Sequence, residues 1–145
     1  MSKECIFCKI IEGEASARKL YEDETTLSIL DIGQLISDAG RFISGRSLVI
    51  PKRHVTWFYD LEDEEAGQLF IATNRVARKI KKAFNPDFIT VFIRGQRISH
   101  AHVILQPSSG EDDPTDKVFK GLMSYFKLAP EELLDDMARK IQGVK

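Results

Sequence analysis

The chain lacks the sequence features of membrane, secreted and nucleic-acid-binding proteins. No apolar run approaches the ~20 residues that a membrane-spanning helix needs, and the N-terminal residues contain no apolar signal core. The formal net charge is only -1, so no overall basic field attracts nucleic acid or an anionic membrane. We therefore expect a cytoplasmic protein with no nucleic-acid or membrane partner.

Cysteine and histidine are also scarce, with two and three residues respectively among the 145. Cys5 and Cys8 form a Cys-x-x-Cys pair, a pattern found in disulfides, redox centres and zinc sites. A disulfide across so few residues would stabilise little, and no βαβ unit of the kind that carries redox pairs is visible. A zinc site would need two more ligands, which the histidines could supply.

The remaining pattern predicts one α+β domain, for which this length is sufficient. Apolar or alternating runs predict strands at 19–22, 25–32, 47–50, 88–93 and 99–107. A long amphipathic helix begins near Glu62 and closes at Asn85-Pro86, and two further helices begin at Asp113-Pro114 and Pro130. Residues 33–45 are expected to be irregular. Short turns between neighbouring strands favour hairpins, and therefore an antiparallel sheet.

Two of the three histidines lie in one predicted strand. The stretch 99–107 is apolar and ends at a proline, which indicates a buried strand. Alternate residues of a strand share a face, so His100 and His102 should point the same way, about 6.5–7 Å apart. A single histidine in such a strand is usually a hydrogen-bonded core residue. A pair leaves both a structural and a chemical role open.

A four-residue metal site can be assembled from the scarce residues. Cys5, Cys8, His54 and His100 form the kind of Cys2His2 set that zinc binds tetrahedrally. Cys-x-x-Cys is a strong half of such a site, whereas His54 is distant from His100 in sequence and a surface role for it is the less favoured alternative. The site forms only if the fold brings the two halves together.

His102 would then be the one histidine outside the metal site. A neutral imidazole is a nucleophile at neutral pH, provided that its second nitrogen donates to a fixed acceptor. Charge on the attacked group needs nearby cations or N–H donors. The turn Arg94-Gly95-Gln96-Arg97 could supply them to a phosphate.

Four motifs occur in a characteristic order along the chain. They are Cys5-Ile6-Phe7-Cys8, Leu30-Asp31-Ile32, Leu48-Val49-Ile50-Pro51-Lys52-Arg53-His54, and Gly95-Gln96 followed by His100-Ala101-His102. In these motifs the chain resembles the histidine triad (HIT) superfamily of nucleotide hydrolases and transferases. The resemblance implies a HIT-like domain over 1–110, with a five-stranded antiparallel sheet, a long helix and a homodimeric assembly. Residues 111–145 would be a C-terminal helical extension packed on the same domain.

The resemblance also implies roles for individual residues. Cys5, Cys8, His54 and His100 would bind a structural Zn²⁺. His102 would attack the α-phosphate of a purine nucleotide or nucleotidyl conjugate and form a nucleotidyl-histidine intermediate, which water or another acceptor resolves. The substrate-binding set would comprise Asp31 at the ribose, Ile32 at the base, and Gly95, Gln96, Arg97 and Ile104 around the phosphate.

The chain departs from the family pattern around the phosphate. Ile104 stands where the third signature histidine is usual and cannot form a hydrogen bond, although Gln106 follows on the same face. Arg97 replaces the usual Ser or Thr after Gly-Gln, and Arg46 replaces the usual histidine before Leu-Val-Ile-Pro.

Three functions therefore compete. The first is a hydrolase of nucleoside phosphoramidates or dinucleoside polyphosphates, or a nucleotidyl transferase. The second is a zinc-stabilised nucleotide-binding module with little or no catalysis. The third is a structural zinc domain that acts through its dimer or its C-terminal helices.

Overall fold

The computed structural model describes residues 4–108 and 114–144. The chain divides between Pro114 and Thr115 into two compact units. In its described residues, the first unit contains a five-stranded sheet, a two-stranded sheet and two α-helices. Among the described residues, no helix is long and apolar enough to cross a membrane.

The helices and strands follow one another in this order. They are α1 (Ile6–Ile11), β1 (Lys19–Glu22), β2 (Thr26–Leu30), β3 (Leu35–Ile36), β4 (Phe42–Ile43), β5 (Ser47–Pro51), a 3₁₀ turn (Phe58–Asp60), α2 (Asp63–Phe84), β6 (Phe88–Arg94), β7 (His102–Ser108), α3 (Pro114–Met123) and α4 (Glu131–Gln142).

The main sheet is antiparallel throughout, in the order β1-β2-β5-β7-β6. The predicted α+β class and the five-stranded antiparallel sheet are therefore confirmed. Two of its inner strands, β5 and β7, are buried along their whole length, which explains their continuous apolar sequence. One sheet face packs against α2, and the other forms a second core with α1.

The long helix α2 covers the face of the sheet away from the two cysteines. Glu62 and Glu65 form a reciprocal capping box at its start, and Asn85 closes it in the left-handed conformation. Its buried stripe, which includes Leu69 and Val76, packs on the sheet. Because the spacing of these residues is helical, the sequence predicts this element accurately.

The start of β7 differs from the prediction. The strand begins at His102 and not at residue 99, because the Ala101 N–H donates to the Val55 carbonyl at 2.6 Å. His100 therefore precedes the strand, and the prediction that both histidines lie on it is wrong. Both rings nevertheless contact Phe7 of α1, with centroids 5.9 and 5.2 Å away.

Residues 33–45 are more ordered than the sequence suggests. They contain the small β3–β4 hairpin, whose base is held by Gln34. The Gln34 side chain accepts the N–H groups of Gly45 and Arg46 and donates to the carbonyls of Asp31 and Arg46. One amide side chain thereby fixes both ends of the hairpin.

The second unit contains two helices. The predicted cap at Asp113 lies outside the described residues, whereas α4 begins directly after Pro130, as expected. Apolar side chains such as Val118 and Ile141 are exposed. The packing of this extension on the main domain stays a prediction, as does the 110/111 boundary.

Candidate functional site

The two cysteines and two of the histidines form one cluster. Cys5 lies immediately before α1 and Cys8 lies in its first turns, so the helix start presents both thiols to one point. His54 follows β5, and His100 precedes β7. The ligand atoms of all four residues lie within 4.8 Å of one another. The structure thus brings together the four residues that the sequence predicts as metal ligands, and they could bind a metal ion.

The closest distances in the cluster join sulfur and imidazole nitrogen atoms. Cys8 Sγ lies 3.2 Å from His54 Nδ1 and 3.6 Å from His100 Nδ1. Cys5 Sγ lies 3.4 Å from His100 Nδ1, and the two Nδ1 atoms are 3.2 Å apart. Both cysteines are buried, and they form no disulfide with each other. The donor set therefore converges on a small volume that is screened from water.

His100 is oriented by a hydrogen bond outside the cluster. Its Nε2 lies 2.8 Å from the Pro51 carbonyl oxygen. Since a carbonyl can only accept, Nε2 carries the proton and Nδ1 presents its lone pair to the cluster. Burial lowers the pKa of the His100 imidazole, and the hydrogen bond to Pro51 opposes part of that shift. This neutral tautomer is the one that ligates a metal.

His102 is in the opposite tautomer to His100. Its Nδ1 lies 2.7 Å from the His100 carbonyl oxygen, so Nδ1 donates and Nε2 keeps the lone pair. Burial lowers the pKa of His102, and the cations Arg94 and Arg46 lower it further, whereas the His100 carbonyl and Asp31 act in the opposite direction. The ring is consequently a neutral base with one free nitrogen.

His102 lines a cavity of about 640 Å³ between α1 and the sheet. Apolar side chains from α1 and the strands, including Phe7, Leu48 and Ile104, form most of its wall. Asp31 and Ile32 also line it, and Ile32 is almost fully exposed. A cavity with apolar walls and a few polar groups is typical of a small-molecule site.

The cavity does not include every predicted substrate-binding residue. Of that set, Asp31, Ile32 and Ile104 line it, whereas Gly95, Gln96 and Arg97 are not among its described lining residues. Gln96 and Arg97 are exposed on the turn before His100.

Gly95 has a clear packing role. A Cβ atom at this position would lie 1.9 Å from the Thr56 carbonyl oxygen and 3.3 Å from the Trp57 ring. Glycine therefore allows the 94–97 turn to pass directly over the segment that follows His54.

Sequence reasoning gave no role to Arg46, which lies inside the cavity. Its Nε donates to Asp31 Oδ2 at 2.7 Å, and its Nη1 donates to Gln106 Oε1 at 3.1 Å. The one sequence feature that could have pointed to Arg46 is its departure from the family pattern at this position. Arg18, also unassigned, lines the same cavity.

Comparison with known proteins gives consistent results. A family model described as HIT domain matches residues 12–107. Protein hit of Bacillus subtilis (strain 168) is 36% identical over 137 residues, which cover 91% of this chain and 88% of the relative. Adenosine 5'-monophosphoramidase hnt1 of Schizosaccharomyces pombe is 33% identical over 99 residues, or 68% of this chain and 66% of the relative.

Solved structures agree with the sequence comparison. The crystal structure of a HIT family protein from Bacillus anthracis superposes with a TM-score of 0.76 at 31% identity, and the match covers 100% of both chains. The likeness therefore extends over both compact units of the chain and not only over the sheet.

Proposed function

Because the chain belongs to the HIT domain family, we propose that it is a nucleotide hydrolase or nucleotidyl transferase that works through a nucleotidyl-histidine intermediate. Its substrates would be nucleoside phosphoramidates, dinucleoside polyphosphates or similar conjugates. The observation that carries this proposal is the His102 ring, neutral and held through Nδ1 by the His100 carbonyl at the wall of a cavity.

The proposed reaction has two steps. Nε2 of His102 attacks the α-phosphorus, a P–N bond forms, and the bond to the leaving group breaks with its electron pair on that group, which then takes a proton from solvent. Water next attacks the phosphorus of the nucleotidyl-histidine and gives up a proton to solvent. The P–N bond breaks with its electron pair on Nε2, and the nucleoside monophosphate leaves. His102 returns to its neutral form.

A cation beside His102 supports this chemistry. Arg94 lies directly across from His102 on the neighbouring strand β6. Such groups stabilise negative charge on phosphoryl oxygens as the transition state forms. We propose that Gly95, Gln96 and Arg97 also approach the phosphate, through the backbone of their turn or the Arg97 guanidinium.

The rest of the cavity fits a nucleoside. Its apolar wall suits a base, and Ile32 at its mouth would contact that base, while Asp31 would lie near the ribose. One relative is named as an adenosine 5'-monophosphoramidase, which favours adenosine 5'-phosphoramidate as the first substrate to try.

We propose that the Cys/His cluster binds Zn²⁺ as a structural ion. Tetrahedral zinc with bonds of about 2.0–2.3 Å separates neighbouring ligand atoms by roughly 3.3–3.8 Å. Four of the six distances between ligand atoms in the cluster are 3.2 to 3.6 Å, and all six lie within 4.8 Å. Four protein ligands would leave no open position, so the ion would link α1 to the segments around His54 and His100. Nucleophilic attack would remain the task of His102.

Trapping the intermediate tests the proposal directly. Native protein is incubated briefly with adenosine 5'-phosphoramidate, and intact mass and AMP release are measured beside His102→Ala. We expect AMP release that requires His102, with a nucleotidyl adduct on the native chain only. Neither adduct nor AMP release, with nucleotide binding intact, would contradict the hydrolase and transferase assignments.

One observation favours the zinc-stabilised binding module as a second candidate. Ile104 is 5% exposed and lies beside Leu48 of β5 in the cavity wall, where it offers no hydrogen bond to a phosphate. Such a cavity could bind a nucleotide without turning it over. Binding in calorimetry without AMP release would support this candidate.

We also propose a homodimer. Strand β6 is an edge of the main sheet, and Phe88 and Val91 on it are exposed. Exposed edges carry unpaired backbone groups that favour pairing with another strand. Light scattering of the purified protein would give the mass directly. The cytoplasmic location stays a prediction from sequence.

A further inference from the structure

The cavity has a second polar end that the proposed reaction does not use. There the Arg46 guanidinium donates from Nε to Asp31 at 2.7 Å and from Nη1 to Gln106 at 3.1 Å. The side chains of Arg46 and Asp31 are 23% and 19% exposed, so the pair is largely withdrawn from water. An ion pair at the wall of a ligand cavity, away from the nucleophile, indicates a second contact point for the ligand.

The partners of Arg46 are themselves fixed. Gln106 is 1% exposed, and its Nε2 donates to the Pro107 carbonyl at 2.7 Å, which aims Oε1 at Arg46. Asp31 Oδ1 accepts the Gly33 N–H at 3.0 Å, which leaves Oδ2 for Arg46. The guanidinium plane is therefore held from two sides before any ligand binds. A preorganised donor loses little side-chain freedom when it binds.

Arg46 still has donors to offer. A guanidinium has five N–H donors, of which its contacts with Asp31 and Gln106 use only part. Within the described residues, the structure gives the other side-chain N–H groups of Arg46 no partner. Asp31 balances the positive charge of Arg46, but Arg18 also lines the cavity. The charged side chains in the cavity wall therefore have a net positive charge. A forked, partly buried cation with free N–H groups is suited to a phosphate.

The two ends of the cavity are separated by an apolar section. His102 and Gln106 are four residues apart on β7, or about 13 Å along the strand. Between them Ile104 pairs with Leu48 of β5, and both line the cavity. The attacked phosphorus would lie roughly 3–3.5 Å from His102, and the Arg46 guanidinium is within hydrogen-bond distance of Gln106. The span between these two contacts is of the order of one sugar ring.

With His102 at one end of the cavity and Arg46 at the other, the cavity suits a ligand with two anionic groups. We infer that Arg46 forms a second phosphate subsite, which selects nucleotides that carry a phosphate on the ribose, at the 2' or the 3' position, in addition to the reacting 5'-phosphate. The inference rests on the proposed function, because that function places the 5'-phosphate at His102. Arg46 is then a specificity-determining residue.

Binding of matched nucleotides to the native protein tests the inference first. Calorimetry compares AMP, adenosine 2',5'-bisphosphate and adenosine 3',5'-bisphosphate, and the two bisphosphates distinguish the 2' from the 3' position. We expect one bisphosphate to bind at least about tenfold more tightly than AMP, since a charge-assisted hydrogen bond to a phosphate is strong.

Variants then assign the effect to Arg46. In Arg46→Ala the preference for the bisphosphate should disappear, and in Arg46→Lys, which keeps the charge but not the fork, it should fall in between. Arg41→Ala is the control, because this substitution also removes one positive charge. Arg41 is exposed on the β3–β4 hairpin and is not among the residues that line the cavity. Melting temperatures establish that each variant is folded.

The outcomes separate this inference from the proposed function. Equal binding of AMP and both bisphosphates to the native protein would overturn the inference and leave the proposed function standing. A preference that persists in Arg46→Ala would overturn the assignment to Arg46. Failure of all three nucleotides to bind would overturn both.

Discussion

Nδ1 of His102 lies 2.7 Å from the carbonyl oxygen of His100, and this contact gives the His102 ring the tautomer opposite to that of His100. Nδ1 of His102 must donate, so its Nε2 is free, whereas Nε2 of His100 donates to Pro51, so its Nδ1 is free. One ring thus presents its lone pair to the cysteine cluster, and the other presents its lone pair away from it. A backbone carbonyl, rather than a common strand face, couples the candidate metal ligand to the candidate nucleophile.

Removal of His102 should abolish turnover without unfolding the protein. The proposed first step has no other nucleophile, so His102→Ala should reduce AMP release from adenosine 5'-phosphoramidate by at least about a thousandfold. Affinity for AMP should change little and the protein should stay folded, since His102 is neither a cluster ligand nor part of the α2 core, although its contact with Phe7 is lost. Steady-state kinetics beside calorimetry measures both effects. Turnover that survives the substitution would exclude His102 as the nucleophile.

Loss of one cysteine should remove the metal and destabilise the fold. We expect the purified protein to contain about one zinc ion per chain, bound by Cys8 and its three partners. Cys8→Ser should lose that ion and several kcal/mol of stability, because metal binding contributes directly to folding. Elemental analysis and thermal unfolding check the two effects. Chelated native protein, before and after zinc is returned, is the control, and an unchanged melting temperature would contradict a structural role.

Substitution at position 104 distinguishes the two candidate functions. If the protein is a hydrolase, the native chain releases AMP. The rate of AMP release by Ile104→Gln should then stay within about tenfold of the native rate, because a backbone carbonyl sets the tautomer of His102. On the binding-module alternative, native release is negligible and Ile104→Gln increases it. Ile104→Val, which stays apolar and should cost about 1 kcal/mol of stability, is the matched control.

Asp23 should make stability depend on acid pH. Burial alone would raise its pKa, but hydrogen bonds from Thr26, Tyr21 and the turn backbone outweigh burial and lower the pKa to about 2. Because the unfolded chain takes up the proton near pH 4, the contribution of Asp23 is complete above that pH and is lost as pH falls towards 2. Thermal unfolding from pH 5 to pH 2 should therefore show a smaller decline in Asp23→Asn than in the native chain. An identical decline in both would contradict this role.

Much of the fold could be predicted because its signals are local. The stripe of α2 and the apolar runs of β5 and β7 depend on residues within one element, and the structure confirms these elements. The members of the Cys/His cluster could be named because cysteine and histidine are so rare here. Their closeness in space agrees with that hypothesis.

The unpredicted features depend on contacts between distant segments. β7 starts late because Ala101 bonds to Val55 across the molecule, and no pattern around residue 101 records this. Arg46 meets Asp31 and Gln106 from 15 and 60 residues away: Arg46 and Asp31 lie next to the ends of β5 and β2, and Gln106 lies on β7. Periodicity assigns each residue a face, but only the strand register shows which charges meet on it.

The contact between Gly95 and Thr56 gives the last prediction, because it connects the 94–97 turn to the segment that carries His54. A methyl group at position 95 would lie 1.9 Å from a backbone oxygen that cannot rotate away, so one of the two segments must shift. Gly95→Ala should therefore cost about 3 kcal/mol of stability, as overpacking does, and weaken zinc binding through His54. Gly67→Ala is the matched control. Gly67 lies within α2, and a Cβ atom at that position would have no neighbouring heavy atom within 4 Å. That change should stabilise the protein by about 0.5–1 kcal/mol. Chemical denaturation and competition with a zinc chelator measure both variants, and equal behaviour of the two would show that the turn can move without affecting the cluster.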